Sequence, residues 1–296
     1  MDIFLLGTGG GPRPTAARFP TSQAVVTGER CIVIDAGNGA AQQMARAGLP
    51  VHGLTDLLIT HLHVDHAADL GMLPLAAWVD GRTEPITVAG PPPTTESLHR
   101  LVSGYEQDLI HRMASTGRPD VREMLRPHDI STPGVIFEDD DVRVSAALVN
   151  HPPFEYALAY RVDSADGSVV VSGDTTPCEG LDELAVGADV LIHEVVHPAA
   201  LEELSRGTNA PSIRQHMLDS HTMLEDVGGI AQRAGVHTLV LSHMIPHTGI
   251  SADEWLDPVR ASFTGQSIIG HDLDRLRVHH GTVTHTRSSE DLHVSI

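Results

Sequence analysis

At 296 residues the chain is long enough to bury a large core, and its formal net charge of −20, from 39 acidic against 19 basic side chains, gives a surface that repels phosphate backbones. Aromatic residues make up only 3%, which leaves few platforms for stacking single-stranded bases. No apolar run approaches the roughly 20 residues that span a membrane, and Met1-Asp2-Ile3-Phe4 lacks the basic start of a secretory leader, so a cytoplasmic protein is expected. Cys31 and Cys178 form no Cys-x-x-Cys pair and are expected to be buried thiols.

Residues 2–6 read as a first strand running into Gly7-Thr8-Gly9-Gly10-Gly11-Pro12. A glycine-rich loop after a strand can cradle phosphate, but no Lys-Ser/Thr follows and Pro12-Arg13-Pro14 forbids an immediate helix, so the loop reads as a tight turn beside a site. Residues 23–27 and 31–35 pattern as a hairpin around Gly28-Glu29, and 38–47 as a helix stopped by Gly48. Residues 56–60 form a buried strand leading into His61-Leu62-His63-Val64-Asp65-His66, followed by a helix-like stretch over 67–79. In extended chain, side chains at i, i+2 and i+4 project together, so His61, His63 and Asp65 are expected to face one pocket while His66 turns in with the helix. That is more ligand capacity than one closed zinc site needs, and further ligands elsewhere would imply two metals. A histidine-rich surface turn is the plainer reading; the strand placement and the carboxylate argue against it.

Residues 86–88 make a short strand ended by Gly90-Pro91-Pro92-Pro93, after which Thr94 or Thr95 caps a helix carrying Leu98, Leu101, Val102, Tyr105, Leu109 and Met113 at helical spacing. Residues 114–133 read as irregular, and the segment 95–133 is either a lid over the pocket or a peripheral excursion. Strand patterns restart at 135–137, 142–149, 157–162 and 168–172; helices at 177–187, 197–205 and 222–234 then alternate with strands at 189–193 and 238–242. The tail holds an amphipathic helix at 252–263 and a hairpin of 276–279 with 282–285 around Gly281. Its histidines His271, His279, His280, His285 and His293 read as surface or packing residues. The pattern predicts an α/β chain with two sheets faced by helices, a single domain 1–296 of two similar halves, about 1–133 and 134–296.

His151 follows the strand at 142–149, Asp174 ends Val169-Val170-Val171-Ser172-Gly173, and His243 ends Leu239-Val240-Leu241-Ser242. Each stands where a strand's end points into a cleft outside the sheet. With the first motif they give seven candidate ligands: His61, His63, Asp65, His66, His151, Asp174 and His243. Together with Leu6-Gly7-Thr8-Gly9, Asn150-His151, Ser172-Gly173-Asp174-Thr175, His193-Glu194 and Ser220-His221-Thr222, in that order over residue 2 to about 250, the chain resembles the metallo-β-lactamase superfamily, ribonuclease Z-like branch. That branch also includes arylsulfatase-like and cyclic phosphodiesterase members.

The resemblance implies an αββα sandwich, two mixed sheets flanked by helices, with a dinuclear site at one edge. Carried over by position, one metal takes His61, His63 and His151, the other takes Asp65, His66 and His243, and Asp174 bridges them. These nitrogen and oxygen donors suit zinc and also admit manganese or iron. Coordination lowers the pKa of water from about 15.7 to about 7, so a hydroxide bridging the metals is the implied nucleophile, with Asp65 taking the water's proton. The resemblance further implies that Glu194 orients His221, which protonates the leaving oxygen, since a carboxylate partner raises a histidine's pKa. A buried hydrogen-bonded pair with no catalytic task is the plainer reading of Glu194 and His221.

Two features depart from ribonuclease Z proper. That family holds tRNA with a long Gly/Pro-containing arm, usually inserted between the third histidine motif and the bridging aspartate, whereas residues 152–173 here suffice only for a hairpin. It usually continues after the last ligand with an arginine and a tyrosine, where this chain has His243-Met244-Ile245-Pro246-His247, without that phosphate contact. Together with the acidic charge, these departures favour a hydrolase of a small-molecule phosphodiester, sulfate ester or related ester over a nucleic-acid enzyme. A tRNA 3′-end endonuclease is the alternative, and a non-catalytic metal-binding or sensing protein is the reading of another class. Homodimers are usual in this branch.

Overall fold

The computed structural model describes residues 1–204 and 210–288. Its strands are β1 (Asp2–Gly7), β2 (Ser22–Thr27), β3 (Arg30–Ile34), β4 (Asp56–Leu58), β5 (Ile86–Gly90), β6 (Leu125–Asp129), β7 (Gly134–Glu138), β8 (Val142–Leu148), β9 (Leu158–Ser164), β10 (Gly167–Val171), β11 (Val190–Val196), β12 (Thr238–Ile245), β13 (Gln266–Ile269), β14 (Arg275–His279) and β15 (Thr282–Thr286). The helices are α1 (Ala40–Arg46), α2 (Val64–Ala67), α3 (Met72–Asp80), α4 (Thr94–Ser103), α5 (Glu106–Thr116), α6 (Val121–Met124), α7 (Glu179–Leu184), α8 (Pro198–Leu204), α9 (Ala210–Ser220), α10 (Leu224–Ala234) and α11 (Ala252–Ser262). Among the described residues no helix is long and apolar enough to cross a membrane.

The strands build two mixed sheets, ordered β15-β14-β1-β2-β3-β4-β5-β6 and β13-β12-β11-β10-β9-β8-β7. Alternation along each strand sorts its side chains between layers. In β1, Ile3 and Leu5 enter the core between the sheets while Phe4 and Leu6 face the helices; in β3, Ile32 and Ile34 point inward and Cys31 and Val33 outward. Val169 and Val171 of β10 likewise face the first sheet, and Val170 packs under α7 and α10. Helices α1, α3 and α4 cover one outer face, and α7, α10 and α11 the other, giving the expected αββα sandwich.

Several elements differ from the sequence pattern. The stretch 67–79 is two helices, α2 and α3, meeting near Gly71, where a Cβ would lie 2.8 Å from that of Leu101. α2 ends at Ala67 and a turn over residues 68–71 leads into α3, with Gly71 leaving room for Leu101 of α4. Residues 114–133, read as irregular, hold the end of α5, α6 and β6, which pairs parallel with β5 from Leu125↔Ile86 to Asp129↔Gly90. Arg126, Pro127 and His128 hide that strand because they lack apolar alternation; as an edge strand it tolerates proline. None of residues 95–133 belongs to the seven candidate ligands. Helix α9 was not legible, Cys178 is only half-buried, and His293 lies outside the described residues.

The tail hairpin returns to the first sheet, with β14 antiparallel to β1 in the register Asp2↔Arg277 and Ile3↔Leu276. Between the sheets, β9 grips the end of β4. The Leu158 N–H donates to the Thr60 carbonyl at 2.9 Å, and the buried Tyr160 hydroxyl donates to the Ile59 carbonyl at 2.9 Å. These two bonds fix the chain immediately before His61. Replacing Tyr160 by Phe leaves the Ile59 carbonyl buried without that donor and is expected to cost about 1–2 kcal/mol. Urea unfolding measures this, and a midpoint equal to wild type would show that the hydroxyl contributes nothing.

Candidate metal centre

The centre lies where β4, β8, β10 and β12 end, and it begins with Asp35. This residue follows β3, is buried, and has φ 61°, a left-handed conformation that Asp tolerates better than bulkier residues. Asp35 Oδ1 accepts from the Thr60 N–H at 2.8 Å, and Oδ2 accepts from the Thr60 hydroxyl at 2.9 Å and from His66 Nδ1 at 2.8 Å. With its proton committed to Asp35, Thr60 Oγ1 accepts from His61 Nδ1 at 3.1 Å. His151 Nδ1 donates to the Ser220 carbonyl at 2.7 Å. All three rings thus carry their hydrogen on Nδ1 and turn an Nε2 lone pair inward.

The lone pairs meet. His63 Nδ1 lies 2.9 Å from His61 Nε2 and 3.2 Å from His151 Nε2. Asp174 Oδ2 is 3.8 Å from His61 Nε2, 4.0 Å from His151 Nε2, and 3.3 Å from Nε2 of both His66 and His243. Asp65 Oδ2 is 3.7 Å from His66 Nε2 and 3.4 Å from His243 Nε2. Among the groups that result are His61, His63, His151 with Asp174, and Asp65, His66 with His243, each with its ligand atoms within 4.8 Å of one another; a third joins Asp174, Glu194, His221 and His243. One geometric expectation needs correction. The extended chain ends at His63, with φ −63° and ψ 148°; Asp65 and His66 both reach the cluster from the first turn of α2.

This arrangement fits divalent cations. Nitrogens with lone pairs facing at such distances need a proton or a cation between them, and His66 Nε2 and Asp174 Oδ1 are buried with no hydrogen-bond partner among the described residues. Burial and the neighbouring imidazoles hold His61 well below the usual histidine range, bring His63 down to about 4, and lower His151, which keeps these rings neutral. Burial opposes charge on His66 too, but Asp174 and Asp35 raise it well above the ordinary value. Asp174 stays ionised because His243 and His66 outweigh the burial of its carboxyl.

Strand β11 brings Glu194 to the rim. Its Oε1 accepts from the N–H of Thr175 at 2.8 Å and of Thr222 at 3.3 Å, and His221 Nδ1 is 3.1 Å from both carboxylate oxygens. Burial works against charge on His221, yet Glu194 raises its pKa to about 9. The His221 ring sits 5.0 Å from that of His151 and 5.8 Å from that of His243. A protonated imidazole therefore stands at the seam between the two groups. His193 bonds its Nδ1 to the Glu194 carbonyl at 2.6 Å and stays outside the cluster.

The glycine-rich loop serves His243 rather than a phosphate. A Cβ at Gly10 would fall 2.6 Å from the His243 carbonyl oxygen and 2.7 Å from its Nδ1, and the Gly11 N–H donates to His243 Nε2 at 3.3 Å. His243 itself has φ 44°. The sequence pattern assigned no role to Asp35, Ser220, Phe154 or His216. Asp35 carried a usable signal, since like Asp174 it stands just past a buried strand. Phe154, whose ring is 4.7 Å from that of His63, and His216, 6.0 Å from that of His221, are brought in by a loop and by α9.

Comparison with known proteins agrees with this geometry. Residues 17–196 match the family model of the metallo-beta-lactamase superfamily. The chain is 37% identical over 286 residues to a protein named Ribonuclease Z from Mycobacterium sp. (strain KMS), covering 95% of this chain and 97% of the relative. It is 34% identical to one of the same name from Mycobacterium bovis (strain BCG / Pasteur 1173P2), covering 94% and 99%. Among solved structures, the metallo-beta-lactamase fold protein YhfI from Bacillus subtilis superposes with a TM-score of 0.69 at 19% identity, over 93% of this chain and 99% of that one. The short form of human tRNase Z superposes with a TM-score of 0.66 at 19% identity, over 94% and 99%. The family model covers more than half of the chain and the sequence relatives nearly all of it: the chain belongs to the metallo-beta-lactamase superfamily, in its ribonuclease Z-like branch, and is a metal-dependent hydrolase.

Proposed function

We propose that the protein is a phosphodiesterase that cuts precursor tRNA at its 3′ end, the activity carried by the name of its mycobacterial relatives. The observation that carries this reading is the Glu194–His221 pair, a charged acid beside the ligand cluster, suited to a sugar alkoxide that leaves poorly unless protonated. The expectation of a small-molecule ester, drawn from net charge and the missing arm, gives way. A match spanning 95% of this chain and 97% of the Mycobacterium relative leaves that relative no room for a long inserted arm either. The charge is a sum over the whole surface. All nineteen basic residues are arginines, the side chain best shaped for phosphate, and Arg13, 76% exposed, rides on the loop that packs against His243.

In this reading His61, His63 and His151 would hold one divalent ion and Asp65, His66 and His243 the other, with Asp174 in reach of both sets of donors. The donors suit zinc and admit manganese or iron. Such ions, when bound, polarise the phosphoryl group and make water acidic. The chain supplies the rest. Asp35 and Thr60 lock His61 and His66 in their ligating tautomers, Ser220 does the same for His151, and ionised Asp65 accepts the water's proton. His221 delivers a proton to the departing 3′-oxygen, while Glu194 holds the imidazolium in place.

Incubating the metal-loaded protein with a precursor tRNA bearing a 3′ trailer is expected to give one cut. Ready turnover of bis-p-nitrophenyl phosphate with the precursor left intact would overturn the tRNA assignment. Asp174→Ala is expected to lose bound metal, read by elemental analysis, together with activity; full metal content would contradict a bridging role. His221→Ala is expected to keep its metals and lose on the order of 10²–10⁴ in rate on alkoxide leaving groups, but far less on p-nitrophenolate, which needs no proton. Equal losses on the two would remove His221 as the acid.

A further inference from the structure

His216 belongs to neither ligand group, yet it stands at the mouth of the centre. Its ring lies 6.5 Å from that of His63, 6.3 Å from that of His151 and 6.0 Å from that of His221. Its tautomer follows from its neighbour. The Ser220 hydroxyl donates its one hydrogen to the Pro152 carbonyl at 2.7 Å, so toward His216 Nδ1, 3.1 Å away, it can only accept. The hydrogen is therefore on Nδ1 and the lone pair on Nε2. Among the described residues nothing bonds Nε2, and the side chain is half-buried. A hydrogen-bond acceptor is thus held beside the proposed acid, anchored through Ser220 to the loop that follows His151.

An acceptor in this place selects a substrate that offers a donor next to the departing oxygen. If His221 protonates the 3′-oxygen, the neighbouring group on the same sugar is the 2′-hydroxyl, the donor that separates RNA from DNA. We propose that His216 is a specificity-determining residue, its Nε2 accepting a hydrogen bond from the ribose 2′-hydroxyl vicinal to the leaving 3′-oxygen. This rests on the tRNA-processing reading and adds which sugar the centre selects.

The test compares single-turnover cleavage of two precursor tRNAs, with ribose or 2′-deoxyribose at the nucleotide 5′ of the scissile phosphate, by wild type, His216→Ala and His216→Gln. Comparing ratios between variants cancels the intrinsic effect of the 2′-hydroxyl on the leaving group. The ribose-to-deoxyribose rate ratio is expected to fall about fivefold in His216→Ala, the worth of one hydrogen bond, and to be largely retained in His216→Gln, which keeps an acceptor. If His216→Ala slows both substrates equally, the residue only braces the Ser220–Pro152 contact and the assignment falls. If wild type cuts neither precursor yet hydrolyses bis-p-nitrophenyl phosphate, the tRNA reading itself falls and takes the sugar assignment with it.

Discussion

One carboxylate oxygen organises this molecule. Asp174 Oδ2 lies within 4.0 Å of ring nitrogens of His61, His66, His151 and His243, which arrive on segments from both sheets. These donors meet only if the ends of β4, β8, β10 and β12 stay in register across the inter-sheet core, so the sandwich is the frame that holds them. Neutral imidazoles converging on one another and on a buried carboxylate are destabilising without a cation. A cation bound by the cluster would therefore add to the stability of the fold, as structural metal sites do.

Much of the centre was legible because strand ends are legible. His61, Asp174 and His243 each follow a run of four or five buried aliphatic or small residues, and the alternation that placed those strands also placed their last residues. What stayed hidden depends on contacts distant in sequence or on backbone torsions. Asp35 acts through Thr60 and His66, 25 and 31 residues away, from a positive φ that no propensity announces. Helix α9 shows little amphipathic stripe, because Arg214, Gln215 and Asp219 crowd around its few apolar residues. Its orientation comes instead from packing of Met217 and Leu218 against Val196 and Ile245. Strand β6 is held by pairing with β5 in spite of its proline and charges.

Composition was the weaker guide to substrate. A net charge of −20 describes the average field far from the protein, whereas a polyanion meets one face at close range. Ion pairing within the chain, as of Arg275 and Arg277 with Asp2 and of Arg30 with Asp56 and Asp139, leaves the acidic excess unchanged, since opposite charges cancel in the sum.

The return of the tail to the first strand bears on how the first sheet is closed. β1 and its outer neighbour β14 pair across a long separation in sequence, from Asp2↔Arg277 to Phe4↔Arg275, and the Met1 ammonium group bonds the Val278 carbonyl at 3.1 Å. The first sheet, whose strand β4 leads into His61 through His66, therefore keeps an open edge at β1 until that long-range contact forms, which makes its closure a slow, non-local step of folding.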